Sequence, residues 1–175
     1  KNNMSNNIQG RFLSFISKIK KPKLILEIGT FLGYSTLCLS EGLKKKGLLI
    51  TIEKNKKYIY YAKKFIKKTR YNKNINIING KALKIIPKLK YKFDIVFIDA
   101  DKKNYYKYFK LIIKKINKNG IIIIDNILWK GKVINNNFDK LTKIIFNFNK
   151  KIKNYKNINN IIIPIRDGLS IILKN

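Results

Sequence analysis

The strongest constraint on the fold is the alternation, along the whole chain, of short apolar runs with longer lysine-rich stretches of helical spacing. The apolar runs predict strands at residues 24–28, 48–52, 75–78, 93–98, 120–124, 158–163 and 169–173. Helical spacing predicts helices at 8–19, 35–45, 56–68, 83–89, 104–116 and 139–151. Strands that alternate with helices at this pace form βαβ units, so we expect a mainly parallel sheet with helices on both faces.

The last two predicted strands are an exception, because only residues 164–168 separate them. They are too close for a helical crossover and are expected to pair antiparallel, as a C-terminal hairpin. The prediction is therefore an α/β fold with a seven-stranded sheet. No linker or repeat divides the chain, so residues 1–175 are predicted to form one domain, with a short helix at about 8–19 and a core over 24–175.

The formal net charge of +31 has two interpretations. So basic a chain suits a nucleic acid or another polyanion as partner. However, the cations are nearly all lysine, and they accompany abundant asparagine and isoleucine, as an AT-rich coding sequence would produce. Arginine, the better bidentate reader of phosphate, occurs only at 11, 70 and 166. Compositional drift and a selected polyanion surface both stay open.

Composition also predicts a cellular location. The single cysteine, Cys38, excludes an intrachain disulfide and fits a reducing compartment. No apolar run approaches the roughly 20 residues of a membrane span, and the polar start of the chain lacks the apolar region of a signal peptide. These features predict a soluble, cytoplasmic protein without a membrane partner.

Carboxylates are scarce in this chain and therefore informative. Five of the nine acidic residues fall at the ends of predicted strands: Glu27, Glu53, Asp99, Asp101 and Asp125. Histidine is absent, so any base chemistry must use lysine, a carboxylate, tyrosine or water.

The first predicted strand leads into a turn with the spacing Gly29-x-x-x-Gly33. Glycines at such a turn let the backbone approach a ligand, and the helix that follows offers its N-terminal amides. Glu53 ends the second strand, 24 positions after Gly29, where doubly wound folds bind ribose hydroxyls. The alternatives are a tight turn that binds nothing and a surface glutamate that starts the next helix.

The next two strands end in a cluster with the chemistry of a metal site. Asp99, Asp101 and Lys102 follow one strand, and Asp125 and Asn126 follow the other. Neighbouring strands lie about 4.8 Å apart, so Asp99, Asp125 and Asn126 would converge. Three oxygen ligands suit a hard cation such as Mg²⁺. The alternative is that these residues cap helices.

Five ordered blocks resemble a known family: LEIGTFLGYS (26–35), TIE (51–53), FDIVFIDADKKNYYKYF (93–109), GIIIIDNILWKGKV (120–133) and RDGLSIILK (166–174). They are similar to the cation-dependent class I S-adenosylmethionine O-methyltransferases, the group with the catechol and caffeoyl-CoA enzymes. The resemblance runs from about Met4 to Lys174. It implies a Rossmann-like methyltransferase fold, with S-adenosylmethionine and a divalent cation, Mg²⁺ above others, as cofactors.

The resemblance also implies roles for individual residues. Gly29 and Ser35 would line the methionine end of the cofactor, Glu53 would hold its ribose, residues 80–82 would edge its adenine, and Asp101 would approach its amino group. The full set implied for the cofactor is Glu27, Gly29, Thr30, Phe31, Gly33, Ser35, Glu53, Lys54, Gly80, Lys81, Ala82, Asp99 and Asp101. The metal set is Asp99, Asp125 and Asn126, the general base is Lys102, and the acceptor contacts are Met4 and Trp129.

The expected reaction is methyl transfer to a hydroxyl of a metal-chelated vicinal diol, a catechol-like small molecule, with S-adenosylhomocysteine (SAH) as product. Water or Tyr105 could replace Lys102 as base. One alternative substrate is a hydroxyuridine in tRNA, which would suit the charge of +31. A further alternative is a non-catalytic Rossmann-like protein that binds cofactor or nucleic acid only. A homodimer is left open.

Overall fold

The computed structural model describes residues 7–134 and 138–175 of the chain. The strands are β1 (Leu24–Ile28), β2 (Leu48–Glu53), β3 (Ile75–Asn79), β4 (Phe93–Ile98), β5 (Ile116–Ile124), β6 (Ile158–Ile163) and β7 (Leu169–Lys174). The α-helices are α1 (Asn7–Lys20), α2 (Tyr34–Ser40), α3 (Lys56–Ile66), α4 (Ala82–Ile85), α5 (Tyr105–Ile112) and α6 (Lys140–Lys153). Each predicted strand and helix is thus present in the described part of the chain.

The seven strands form one sheet in the order β3-β2-β1-β4-β5-β7-β6. Strands β1 to β5 pair in parallel, whereas β7 is antiparallel to both β5 and β6. The predicted fold class, including the C-terminal hairpin, is confirmed.

Both faces of the central strands are buried, which explains why these strands read as continuous apolar runs. On one face, residues such as Leu26 and Val96 pack in a core with Phe109 of α5 and Phe148 of α6. On the other face, Ile25, Leu49 and Phe97 pack against Leu13 of α1 and Leu39 of α2. The core therefore lies in two layers, one on each side of the sheet, as predicted.

Three predicted helices extend too far. The helix predicted over 83–89 ends at Ile85 and is followed by a 3-10 turn over Ile86–Lys88. The helix predicted to residue 45 ends at Ser40, and a Cβ on Gly42 would lie 2.0 Å from the Ser17 carbonyl carbon, so the chain there passes directly against α1. The helix predicted to residue 116 ends at Ile112, and β5 begins at Ile116 rather than at residue 120. The first part of β5 is polar, and the pairing of β5 with β4 shifts register near Phe93. An apolar run therefore marks only the second part of this strand.

Helix α1 packs in the core through Leu13, and several of its other buried residues are small or polar. Gln9, Leu13 and Ser17 are fully buried, and Ser17 Oγ donates to the Leu39 carbonyl at 2.5 Å. The apolar residues Ile8, Phe15 and Ile19 on another face are more than 60% exposed (65%, 61% and 64%). Within residues 7–134 and 138–175, none of the helices has the length and apolar character needed to cross a bilayer.

Candidate active site

The candidate site lies at the carboxyl edge of the sheet, where β1 and β4 are neighbours although β2 and β3 follow β1 in the chain. The strand order reverses here, and open α/β sheets bind ligands in the crevice beside such a point. The ends of three strands are hydrogen-bonded together: Asp99 N donates to Ile28 O at 2.9 Å, and Gly29 N donates to Ile52 O at 2.9 Å. The candidate residues at the ends of β1, β2 and β4 therefore share one edge.

Gly29 forms a turn that a side chain would block. Its φ is +99°, and an added Cβ would lie 2.0 Å from the Asp99 carbonyl oxygen. Gly33, at φ +86°, directly precedes α2. The predicted glycine turn is confirmed in its geometry, while its contact with a cofactor stays a prediction.

Glu27 is fully buried, and its carboxylate accepts three hydroxyl hydrogen bonds. The donors are Ser35 Oγ at 2.6 Å, Thr36 Oγ1 at 2.5 Å and Thr51 Oγ1 at 2.6 Å. Thr30 Oγ1 lies 2.5 Å from Thr51 Oγ1 and extends the network. Burial raises the pKa of Glu27 to about 7, although the hydroxyl bonds oppose this rise. Because the Ser35 hydroxyl donates to Glu27, its side chain can meet a cofactor only as an acceptor.

Glu53 joins the segments predicted to hold the cofactor. Its side chain accepts the backbone N–H of Phe31 at 3.0 Å and that of Asn55 at 2.9 Å. Its carbonyl accepts Gly80 N at 2.9 Å and Asn79 Nδ2 at 3.0 Å. The glycine turn and the ends of β2 and β3 thus meet around one carboxylate that is 8% exposed. Asn79 was not predicted to take part.

The remaining cofactor candidates flank this group. Lys54 and Lys81 are exposed, and Ala82 is the buried first residue of α4. The ring of Phe31 packs edge-on against Tyr58, with 4.6 Å between centroids.

Asp101 is bound to the start of α5. Its two carboxylate oxygens accept the Asn104 side-chain amide and the Tyr108 hydroxyl. Burial, and then the hydrogen bond to this carboxylate, raise the pKa of Tyr108. These bonds fix the position of Asp101 within the protein, and its predicted contact with the cofactor amino group stays a prediction.

Lys102 and Asp99 form an ion pair, with 3.0 Å between Nζ and Oδ1. Both side chains are partly accessible, at 16% for Lys102 and 28% for Asp99. Tyr105, the alternative base, is buried, and its hydroxyl donates to the Asp125 carbonyl at 2.9 Å. Burial and the nearby carboxylates raise the pKa of Tyr105 well above its ordinary value. These features disfavour Tyr105 as the base, and the choice between Lys102 and water stays a prediction.

Asp125 ends β5 with a carboxylate that is 2% exposed. Its Oδ2 accepts Gln9 Nε2 at 2.6 Å, and its Oδ1 accepts Asn126 N at 2.6 Å. Burial, and then the charge of Asp99, raise the pKa of Asp125 to about 6. Gln9 in turn accepts a hydrogen bond from Arg166 Nη1 at 3.0 Å.

Sequence reasoning missed Gln9 and Arg166. A signal was present for Gln9, because it lies four residues before the buried Leu13 and so on the same face of α1. A glutamine on a buried helix face needs polar partners. No comparable signal marks Arg166, which comes to the site only through the packing of the β6–β7 turn.

Among the described residues, the acidic side chains at the ends of β4 and β5 make no capping hydrogen bond to a helix, although Asp101 occupies the N-cap position of the short 3-10 helix Lys102–Asn104. The α5 N-cap is Asn104, which makes no side-chain capping bond, and Asp99 is not a cap. Asn126 has φ +58°, and the next helical turn within the described residues begins only at Lys132. By contrast, Asp139 caps α6 through bonds to two backbone N–H groups. The capping role is thus filled elsewhere.

The residues at the ends of β4 and β5 fit a hard divalent cation by their chemistry. Asp99 and Asp125 directly follow the paired residues Ile98 and Ile124, and Asp125 N donates to Ile98 O at 3.0 Å. The mutual repulsion of two carboxylates favours a cation between them. Among the described residues, no three His, Cys, Asp or Glu side chains cluster as a metal group, so the third protein ligand would be the Asn126 amide oxygen.

Of the two residues predicted to contact the acceptor, Trp129 belongs to the described part of the chain. Trp129 is half-buried, at φ +49°, in the loop after β5. This loop is tied to the β6–β7 turn, because Leu128 N donates to Asp167 O at 2.9 Å and Lys130 N donates to the Asp167 carboxylate. Met4 lies outside the described residues.

Comparison with known proteins gives consistent results. A family described as O-methyltransferase matches residues 1–175. A catechol O-methyltransferase from Niastella koreensis is 38% identical over 133 residues, which cover 74% of this chain and 60% of that protein. A caffeoyl-CoA O-methyltransferase from Populus kitakamiensis is 31% identical over 175 residues, covering 93% and 74%. The solved O-methyltransferase from Bacillus cereus in complex with SAH superposes with a TM-score of 0.92 at 30% identity, over 100% of this chain and 84% of that one.

Proposed function

The chain belongs to the O-methyltransferase family, and we propose that it uses S-adenosylmethionine to methylate one hydroxyl of a catechol-like vicinal diol held at a divalent cation. The solved relative in complex with SAH supports this cofactor. The observation that carries this proposal is the pair of carboxylates, Asp99 and Asp125, on neighbouring strand ends, with Lys102 Nζ 3.0 Å from the first of them. The catechol and caffeoyl-CoA relatives support an aromatic diol as the acceptor class.

The cofactor would occupy the crevice beside Gly29 and Glu53. The Glu53 carboxylate already accepts two backbone N–H groups, which hold it at the end of β2 with lone pairs left for ribose hydroxyls. The turn at Gly29 gives the close backbone approach that the methionine end needs. When bound, S-adenosylmethionine would supply an electrophilic methyl group on a sulfonium.

The cation would be held by Asp99, Asp125 and Asn126. When bound, it would supply positive charge that favours ionisation of the acceptor hydroxyl and a template that orients two adjacent oxygens. Asp125 is 2% exposed, so its charge is screened less by water than the charge of a surface carboxylate would be.

Lys102 would take the proton. Its Nζ donates to Asp99. An ammonium group has no lone pair, so Lys102 must release one proton to solvent before its nitrogen can accept the hydroxyl proton of the acceptor. The acceptor oxygen then bonds to the methyl carbon while the carbon–sulfur bond breaks, giving a monomethyl ether and SAH. Much of the rate would come from the alignment of the two reactants.

A methyl-transfer screen tests the proposal. Purified protein with tritium-labelled S-adenosylmethionine and Mg²⁺ is given catechol, caffeoyl-CoA or tRNA that lacks its wobble methylation. We expect label on the diols, with one methyl per molecule, and none on tRNA. Label on tRNA alone would replace the proposed acceptor with the RNA alternative, and label on none of them would contradict a catechol-type acceptor.

The double variant Asp99→Asn/Asp125→Asn is the matched control. It keeps the side-chain shapes at the ends of β4 and β5 but removes both charges. We expect it to transfer no methyl group. Asp125→Asn alone should in addition still bind SAH, because it leaves Gly29, Glu53 and Asp99 unchanged. Transfer at the wild-type rate would contradict a cation site at these residues.

A further inference from the structure

A chain of hydrogen bonds links three distant parts of the sequence: Asp125 and Gln9, which are buried, and Arg166, which is exposed. Gln9, in the first turn of α1, donates through Nε2 to Asp125 Oδ2 at 2.6 Å, across 116 positions of sequence. Its Oε1 accepts from Arg166 Nη1 at 3.0 Å, across 157 positions. Gln9 itself is 0% exposed. A hydrogen-bonded amide in such a place is shielded from water, which otherwise competes for both of its partners.

The chemistry of the two partners fixes the orientation of the Gln9 amide. A guanidinium can only donate, and an ionised carboxylate can only accept. The amide oxygen must therefore face Arg166 and the NH₂ group must face Asp125. Because the Gln9 amide is neutral, it orients the Asp125 carboxylate and leaves its negative charge in place. A lysine at the same position would cancel that charge.

Contacts between α1 and the region of α2 fix the position of Gln9. An added Cβ on Gly10 would lie 2.4 Å from the Tyr34 hydroxyl, so the helix lies directly against the start of α2. Further along, Ser14 Oγ donates to Glu41 at 2.8 Å and Ser17 Oγ donates to Leu39 O at 2.5 Å. Most of the buried residues of α1 thus serve its attachment to α2, whereas Gln9 reaches past it to the end of β5.

The turn that carries Arg166 is also fixed in position relative to β5. Its turn, between β6 and β7, is bonded to the segment after β5: Ile127 N donates to Gly168 O at 3.2 Å and Leu128 N donates to Asp167 O at 2.9 Å. Both partners of Gln9 are therefore attached to the end of β5, one directly and one through this turn.

We propose that Gln9 is a positioning residue for the cation site: it sets the orientation of the Asp125 carboxylate, and Arg166 sets the orientation of Gln9. The proposal rests on the proposed function, in which Asp125 is a metal ligand. Groups that hydrogen-bond to metal ligands commonly contribute about 10- to 100-fold to metal affinity. Helix α1 would then be part of the catalytic apparatus although none of its residues touches a reacting atom.

The test measures Mn²⁺ binding to the metal-free protein by electron paramagnetic resonance, with no substrate present. Gln9→Met keeps the side-chain length but removes both hydrogen bonds, and we expect it to weaken the Kd for Mn²⁺ by about tenfold or more. SAH affinity, measured by calorimetry, should not change. Arg166→Met should weaken Mn²⁺ binding in the same direction but by less, and it serves if Gln9→Met does not fold.

Ser17→Ala is the matched control, because it removes a buried hydrogen bond of the same helix that does not lead to Asp125. It should lower the melting temperature and leave the Kd for Mn²⁺ unchanged. If Gln9→Met binds Mn²⁺ as the wild type does, the positioning role is overturned while the cation site stands. If the wild type does not bind Mn²⁺, or if Asp125→Asn binds it as tightly as the wild type does, the cation site and the role of Gln9 are both wrong.

Discussion

Two pairs of carboxylates belong to neighbouring parallel strands of one sheet, Glu27 and Glu53 on β1 and β2, and Asp99 and Asp125 after β4 and β5. The first pair accepts hydrogen bonds only from neutral groups of the described chain: three hydroxyls on Glu27 and two backbone N–H groups on Glu53. In the second pair, Asp99 forms an ion pair with Lys102, and the negative charge of Asp99 helps to raise the pKa of Asp125.

The difference shows what folding completes by itself and what it leaves to a ligand. The hydroxyls around Glu27 come from β2, from α2 and from the turn, so this network is finished when those elements pack. At Asp125 the donors are neutral, and the repulsion from Asp99 is left in place. A cation would remove that repulsion, whereas nothing at Glu27 and Glu53 calls for one.

The largest expected effect separates the pairs by their need for metal. Exhaustive chelation should abolish methyl transfer, and added Mg²⁺ should restore it, because only the bound cation offsets the charges of Asp99 and Asp125. SAH binding, measured by calorimetry in the same chelated sample, should survive, since Glu53 needs no cation. Full activity after chelation would make the two pairs equivalent and remove the basis of the comparison.

The next effect is a pH dependence that belongs to the first pair. The pKa of Glu27 rises from 4.5 to about 7, so the folded state keeps a proton that the unfolded chain loses. Its contribution to stability therefore falls as pH increases from 4.5 to about 7, by about 3 kcal/mol for a shift of this size. Relative to the wild type, Glu27→Gln should gain stability over this range in urea unfolding.

Glu41→Gln is the control of opposite sign. A hydrogen bond from Lys18 lowers the pKa of Glu41, so this residue contributes stability above its ordinary pKa that is lost in acid. The variant should therefore lose stability relative to the wild type as pH rises. Parallel pH profiles for wild type and Glu27→Gln would show that burial does not perturb Glu27.

The third prediction concerns Lys102, which belongs to the second pair alone. Lys102→Met keeps most of the side-chain volume and removes the proton acceptor, so kcat should fall roughly 100-fold, about 2.7 kcal/mol in the barrier. Steady-state kinetics and SAH calorimetry together check that cofactor affinity is unchanged. A normal kcat would indicate water as the general base, because Tyr105 is buried and already donates to Asp125 O.

The smallest effect concerns Glu53. Glu53→Ala removes the predicted ribose acceptor and should weaken S-adenosylmethionine binding by more than tenfold, about 1.4 kcal/mol. Calorimetry on the folded variant measures this directly. Asn79→Ala offers a comparison, since it removes a bond to the Glu53 carbonyl but leaves the carboxylate intact. Unchanged affinity in Glu53→Ala would sink the ribose assignment.

The sequence predicted these regions unequally, for physical reasons. Parallel strands buried on both faces must be apolar throughout, so the central strands and the residues at their ends were visible. In α1 the same reasoning is less decisive: Ile8, Phe15 and Ile19 are exposed, whereas the buried face carries Gln9 and Ser17 beside Leu13. Helical spacing predicts the helix, but it cannot tell which face packs when the buried side is polar.

The polar partners of the site were also beyond local patterns. Arg166 and Gln9 are 157 positions apart, and only the antiparallel hairpin and the packing of α1 bring them together. The three hydroxyls on Glu27 come from Ser35 and Thr36 of α2 and from Thr51 of β2, positions that look like ordinary helix and strand residues. Such contacts depend on tertiary packing, which periodicity and composition do not contain.

The central claim is that only the carboxylates after β4 and β5 bind a cation, and thermal unfolding with and without Mg²⁺ tests it most directly. A ligand that binds only the native state raises its melting temperature. We predict that Mg²⁺ stabilises the wild type and Glu53→Gln equally and has no effect on Asp99→Asn or Asp125→Asn. A wild type that Mg²⁺ does not stabilise, or equal stabilisation of all four proteins, would contradict the claim.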